Sequence, residues 1–106
     1  MNTPRISVLV PAFNDAEFLP QGLESLRTQS FTDFEVIVSD DCSSDATRDV
    51  AKHYAQSDAR FRLVTNEQNL GMTRNWNRAL REARGTFVVK LDADDALRQD
   101  ALRALA

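Results

Sequence analysis

An α/β domain built on a parallel sheet is the fold class that three observations in this 106-residue sequence predict. Four short runs rich in β-branched and aromatic residues alternate with longer segments whose apolar residues recur at helical spacing. Two of those runs end abruptly in acids, and no internal repeat, low-complexity stretch or linker interrupts the alternation. The order β-α-β-α-β-α-β-α implies parallel pairing through right-handed crossovers, with helices on both faces of the sheet.

Each element has a local reason. Ile6-Ser7-Val8-Leu9-Val10 reads as the first strand, stopped by Pro11, which has no N–H for a sheet ladder. Asn14-Asp15-Ala16-Glu17 has the form of a capping box, with Pro20 tolerated in the first turn. Leu19, Leu23 and Leu26 then predict a helix to about Gln29 with one stripe on the sheet. Phe34 to Ser39 is the second strand and runs into Asp40 and Asp41; Ser43 or Ser44 is expected to cap the next helix, whose apolar side is Val50, Ala51, Tyr54 and Ala55. Phe61 to Thr65 is a weaker third strand, followed by a polar connection from Asn66 to Gly71. The clearest helical period is Met72, Trp76, Ala79, Leu80 and Ala83, with arginines opposite and Gly85 as the expected stop. Phe87 to Leu91 reads as a strand buried on both faces, and Leu97, Ala101, Leu102 and Leu105 as a last helix running to the terminus.

Composition excludes several classes. Hydrophobic residues at 42% and charged residues at 27% are ordinary for one soluble globular domain, here residues 1–106. A net charge of −3 carries no polyanion-binding signature, so nucleic acid is not an expected partner. The single Cys42 excludes an intramolecular disulfide and a cysteine metal cage, which fits a reducing compartment. No stretch approaches the roughly 20 apolar residues of a membrane span, and no signal peptide is read at the start.

Chemistry concentrates where strands end. Leu91-Asp92-Ala93-Asp94-Asp95 places three carboxylates directly after the fourth strand. At the carboxyl edge of an α/β sheet, where ligands bind, such repelling charges call for a divalent cation. The competing reading is a solvated acidic turn capping the next helix; Asp40-Asp41 on the same edge weakens it. His53 is expected at the surface, Cys42 lacks a neighbouring base, and Trp76 falls within the apolar stripe of its helix. Arg74, near the start of that helix, could reach a phosphate.

The stretches Ile6 to Asn14, Val38 to Asp45, Asn69-Leu70-Gly71 with Asn75-Trp76-Asn77, and Leu91 to Asp95 together resemble family 2 glycosyltransferases of the GT-A fold. The resemblance runs from about Arg5 to about Leu97, with every motif in order. It implies a Rossmann-like nucleotide-binding half with strand order 3-2-1-4. It further implies a nucleotide-diphosphate-sugar donor, with UDP or dTDP sugars favoured and a glycan or lipid-linked acceptor in the full enzyme. On that resemblance Pro11, Ala12, Phe13 and Asn14 line the nucleoside site, Asp41 accepts the base imide N–H, and Asp92 touches the ribose or metal. Asp94 and Asp95 would hold Mn²⁺ or Mg²⁺ against the diphosphate. Transfer would be a single inverting displacement, and a cytoplasmic setting, peripheral to the inner membrane in the full enzyme, is the family-level expectation.

Complete domains of this family are longer, and the later part carries the acceptor contacts and general base, so no catalytic base is nominated here. The chain is accordingly expected to be the donor-binding part of such a domain, inactive alone. An exposed edge on the fourth strand would favour a homo-oligomer. A nucleotide- and metal-binding module without turnover remains open, as does a receiver-like Mg²⁺-binding signalling domain, which lacks the expected single central phosphoacceptor.

Overall fold

Every even-numbered residue of the first strand from Ile6 to Ala12 is buried against apolar side chains, and the odd-numbered Leu9 faces a second, smaller cluster. This two-sided burial is what a central parallel strand requires. The computed structural model describes residues 3–105; the expected bounds of 1–106 extend over Met1, Asn2 and Ala106, outside the described residues. The elements are β1 (Ile6–Ala12), α1 (Leu19–Arg27), β2 (Phe34–Asp40), α2 (Thr47–Ser57), β3 (Phe61–Thr65), α3 (Met72–Glu82), β4 (Phe87–Lys90) and α4 (Ala101–Leu105). All pairs are parallel in the order β3-β2-β1-β4, as expected.

One face of the sheet carries the larger core. Val8, Val10, Val36 and Val38 pack there with Leu19, Leu23 and Leu26 of α1, Ala51 of α2 and Leu102 of α4. The other face holds Leu9 and Ile37 under Ala79, Trp76 and Ala83 on the α3 side. Polar residues extend that second face toward the amino edge: Ser7 Oγ donates to Glu35 (2.6 Å), as do Arg62 (2.9 Å) and the Arg84 N–H (2.7 Å). Burial raises the Glu35 carboxyl, but these three donors outweigh it and hold the group below its ordinary value.

Several boundaries differ from the sequence reading, each for a tertiary reason. The capping box does not form: α1 starts at Leu19, with no side-chain cap on Phe18, because Asn14 and Asp15 are engaged in loop contacts. Neither Ser43 nor Ser44 caps α2, which begins at Thr47; the Asp45 carboxylate takes the Thr47 N–H at 2.9 Å instead. In α3 the predicted stripe is rotated: Met72 is 84% exposed and Leu80 41%, whereas Asn75 is buried. The helix ends at Glu82, and Gly85 serves a close approach, its N–H donating to Ser7 Oγ at 2.7 Å.

β4 is not buried on both faces. It pairs with β1 alone, and Phe87 and Val88 are 47% and 42% exposed at the sheet edge. Leu97 packs on the core from a loop, so the last helix is the shorter α4.

Candidate functional site

Parallel register brings three loops to one edge. Ala12 aligns with Asp40 across β1 and β2, the Asp41 N–H donates to Ala12 O (2.9 Å), and the Leu91 N–H donates to Leu9 O (2.9 Å). The chain order reverses between β1 and β4, the topological position at which open α/β sheets bind ligands. A cleft of about 500 Å³ opens there. Pro11 and Ala12 of β1 and Phe13 directly after it line the cleft, with Asp41 after β2 and Lys90, Asp92 and Asp94 at the end of β4. Of the residues expected at the site, Pro11, Ala12, Phe13, Asp41, Asp92 and Asp94 are the ones brought together.

Asn14 and Asp95 stand apart from the cleft wall. Asn14 takes a left-handed backbone (φ 52°) and ties two loops: its N–H donates to Ser43 Oγ (2.9 Å), and its Oδ1 accepts from the Ser44 N–H (2.9 Å). Asp15 N donates to Thr47 Oγ1 (2.8 Å) and Ala16 N to Asp45 (3.2 Å), which completes the seam. The Thr47 hydroxyl, with the Thr47 and Ala16 N–H groups, holds the Asp45 carboxyl below its usual range. Asn14 therefore braces the loop that follows β1 against the Ser43-Ser44 turn, from outside the cleft. Asp95 is exposed, with its N–H on Asp92 O (2.9 Å) and its own carbonyl against α1.

Asp41 is the most constrained carboxylate at the cleft. It is 3% exposed; Oδ1 accepts from Asn66 Nδ2 (3.0 Å) and the Leu70 N–H (2.7 Å), and Oδ2 accepts from the Gly71 N–H (3.0 Å). Gly71, at φ 87°, is the N-cap position of α3, so the carboxylate also sits at the positive end of a helix dipole. Asp40, fully buried, points elsewhere: its Oδ2 accepts from Arg48 (3.2 Å) and the Ser43 N–H (3.3 Å).

The cleft also has walls the sequence reading did not assign. Asp15, Met72, Asn75, Trp76 and Lys90 line it. Trp76 both packs on Leu9 and Ile37 and faces the cleft, with Lys90 Nζ 5.9 Å from its ring and 3.2 Å from Asp92. A lone lysine closing an apolar strand just before the acids was the available signal for Lys90. Arg74 lines a different, shallow surface with Leu80 and Arg81 rather than this cleft.

Cys42, in the turn beside Asp41, has φ 63°, a conformation that costs an L-residue about 1–2 kcal/mol. Cys42→Gly is expected to raise the thermal midpoint by a few degrees, offset by glycine's unfolded-state entropy. A lower midpoint would mean that the 3.6 Å thiol contact to Glu67 O outweighs the backbone gain.

Asp92 and Asp94 give the cleft two hard carboxylates, and no three His, Cys, Asp or Glu side chains converge among the described residues. Such a pair fits Mg²⁺ or Mn²⁺, which take one or two carboxylates and complete their shell with phosphate oxygens and water.

A family model described as "Glycosyl transferase family 2" matches residues 7–106. TuaG of Bacillus subtilis (strain 168), provisionally named a teichuronic acid biosynthesis glycosyltransferase, is 37% identical over 93% of this chain and 39% of its own. The GalNAc(5)-diNAcBac-PP-undecaprenol beta-1,3-glucosyltransferase of Campylobacter jejuni is 41% identical over 96% of this chain and 33% of its own. Residues 1–349 of S. aureus TarS superpose with a TM-score of 0.89 at 34% identity, over 95% of this chain and 31% of that one. TarS has been solved with UDP-GlcNAc, and a mannosyltransferase from Pyrobaculum calidifontis (TM-score 0.85, 31% identity, 96% of this chain and 31% of that one) with GDP-Man and Mn²⁺. The chain thus spans well under half the length of these relatives. With the family model covering nearly all of it and the parallel β3-β2-β1-β4 sheet of the GT-A fold beneath the motifs, this chain belongs to glycosyl transferase family 2.

Proposed function

We propose that this chain is the donor-binding part of a glycosyltransferase and takes a nucleotide-diphosphate sugar in the cleft between the ends of β1, β2 and β4. The convergence of Pro11 to Phe13, Asp41, Asp92 and Asp94 on that one cleft carries the reading. Phe13, 46% exposed, offers an aromatic face to a base, and Asp41 offers an acceptor for a ring N–H. Uridine or thymidine diphosphate sugars are the favoured donors on that account. Asp94, with Asp92, would hold Mn²⁺ or Mg²⁺, which supplies positive charge to a leaving diphosphate when bound; Asp95 reaches such a site only by turning from its present position.

In the complete enzyme an acceptor hydroxyl would displace the nucleotide diphosphate from the anomeric carbon in one inverting step. The acceptor contacts and the base belong to the portion that the longer relatives carry. Membership of the family sets aside the receiver-like reading.

Calorimetric titration of a panel of nucleotide sugars, with and without Mn²⁺, tests the proposal. Asp94→Asn is expected to weaken Mn²⁺-dependent UDP binding about tenfold or more, the scale of one lost charge-assisted contact. Binding that keeps both its strength and its Mn²⁺ dependence in this variant would remove Asp94 from the metal site.

A further inference from the structure

Buried carboxylates with spare acceptor capacity are unselective toward N–H donors, so what fills that capacity decides what they select. Asp41 has about four lone-pair sites on its two oxygens. Three are taken: Oδ1 receives Asn66 Nδ2 (3.0 Å) and the Leu70 N–H (2.7 Å), and Oδ2 receives the Gly71 N–H (3.0 Å). Asn66 cannot swing away freely. The same Nδ2 donates to Asn75 Oδ1 (2.9 Å), and Asn75 in turn is locked on β2, its Nδ2 donating to Ser39 O (3.0 Å). Asn66 and Asn75 are 6% and 3% exposed, so no bulk water substitutes for these bonds.

Resting on the reading of Asp41 as the base contact, we infer that Asn66 and Asn75 are positioning residues that leave Asp41 a single open acceptor and thereby select uracil or thymine over guanine. A uracil or thymine presents one ring N–H on the relevant edge, which one acceptor satisfies. Guanine presents two adjacent donors, the ring N–H and the exocyclic amine, which a carboxylate meets best with both oxygens; here Oδ1 is already saturated. Cytosine and adenine present a ring acceptor, which the carboxylate repels. The order of affinity is UDP above GDP, and GDP above CDP.

Calorimetric titration of the full chain with UDP, GDP and CDP, each with Mn²⁺, tests this in the parent, Asn66→Ala, Asn75→Ala and Asp41→Asn. The parent is expected to prefer UDP to GDP by about tenfold. Asn66→Ala frees one lone pair of Oδ1 and is expected to shrink that preference severalfold, with GDP gaining relative to UDP; Asn75→Ala, which releases the Asn66 amide, is expected to act in the same direction. A merely structural role would weaken all three nucleotides together and leave the ratio fixed. Asn66→Ser provides the same readout if the alanine variants do not fold. An unchanged UDP-to-GDP ratio in folded variants, or a parent that binds GDP as tightly as UDP, overturns the inference alone. A UDP-over-CDP preference that survives Asp41→Asn instead overturns the reading of Asp41 on which it rests.

Discussion

Glu35→Ala is expected to cost about 3 kcal/mol at pH 7, the low end for removing one partner of a buried ion pair. The low end applies because Arg62 keeps some solvent contact and a second carboxylate, Glu82, at 3.8 Å. Glu35 itself is 7% exposed and unites four parts of the chain: Ser7 of β1, its own β2, Arg62 of β3 and the Arg84 N–H after α3. Its removal strands those donors on the sheet's smaller apolar face. For a domain of about 100 residues the loss corresponds to a fall in thermal midpoint of more than about 10 °C.

The pH dependence has a definite sign. The folded Glu35 carboxyl lies below the ordinary glutamate value of 4.5, so its contribution is fully present above that pH and is lost as pH falls through the folded value. Glu24, Asp45, Asp58 and Glu82 are shifted in the same direction and add to acid lability, more weakly where solvent screens them. Glu35→Gln is expected to flatten the decline in urea midpoint between about pH 5 and about pH 3, the range in which a lowered carboxyl takes up its proton. A decline as steep as in the parent would assign acid lability to the surface carboxylates.

The strands and the acidic loops were legible because both depend on local composition. A run such as Val36-Ile37-Val38 has few ways to hide its side chains other than inside a sheet. Acids after two such runs mark an edge where charge is tolerated. Positions whose partners lie far away in sequence were not legible. Asn14 and Asp15 look like a helix cap from their neighbours, yet Ser44 and Thr47, some thirty residues on, claim them. Asn75 looks like the polar side of α3, yet it is buried because Ser39 O and Asn66 complete its hydrogen bonds. Met72 looks apolar enough for the core and instead stands exposed at the cleft mouth, where the helix begins beyond the sheet. β4 reads as doubly buried because periodicity records hydrophobicity and not the number of neighbouring strands; with β1 alone beside it, Phe87 and Val88 remain open.

Gly22→Ala is expected to damage the acidic loop from outside the cleft. Gly22 lies within α1, where alanine alone would gain up to about 1 kcal/mol of helix propensity. A Cβ there would stand 2.5 Å from the carbonyl oxygen of Asp95, a backbone atom that cannot rotate aside. Overpacking of this kind costs about 1–3 kcal/mol, so the clash outweighs the propensity gain and the thermal midpoint falls. The strain is relieved by moving either α1 or the turn closed by the Asp95 N–H on Asp92 O, and α1 is held by Leu19, Leu23 and Leu26 in the larger core. The turn is the softer of the two. Among the described residues it is anchored in the core by Leu91 and Ala93 alone, and the segment after it is tied to the α1 side by the Leu97 N–H on Ser25 Oγ (3.0 Å) and Gln29 Nε2 on Arg98 O (2.6 Å), so displacement of the turn shifts Asp92 and Asp94 together. Mn²⁺-dependent diphosphate binding should therefore weaken severalfold while the UDP-over-CDP preference proposed for Asp41 survives, and Gly22→Val should enlarge both the midpoint loss and the binding loss. Full Mn²⁺-dependent binding in a destabilised Gly22→Ala variant would show that α1 yields instead and that the acidic turn holds its position independently of the helix beneath it.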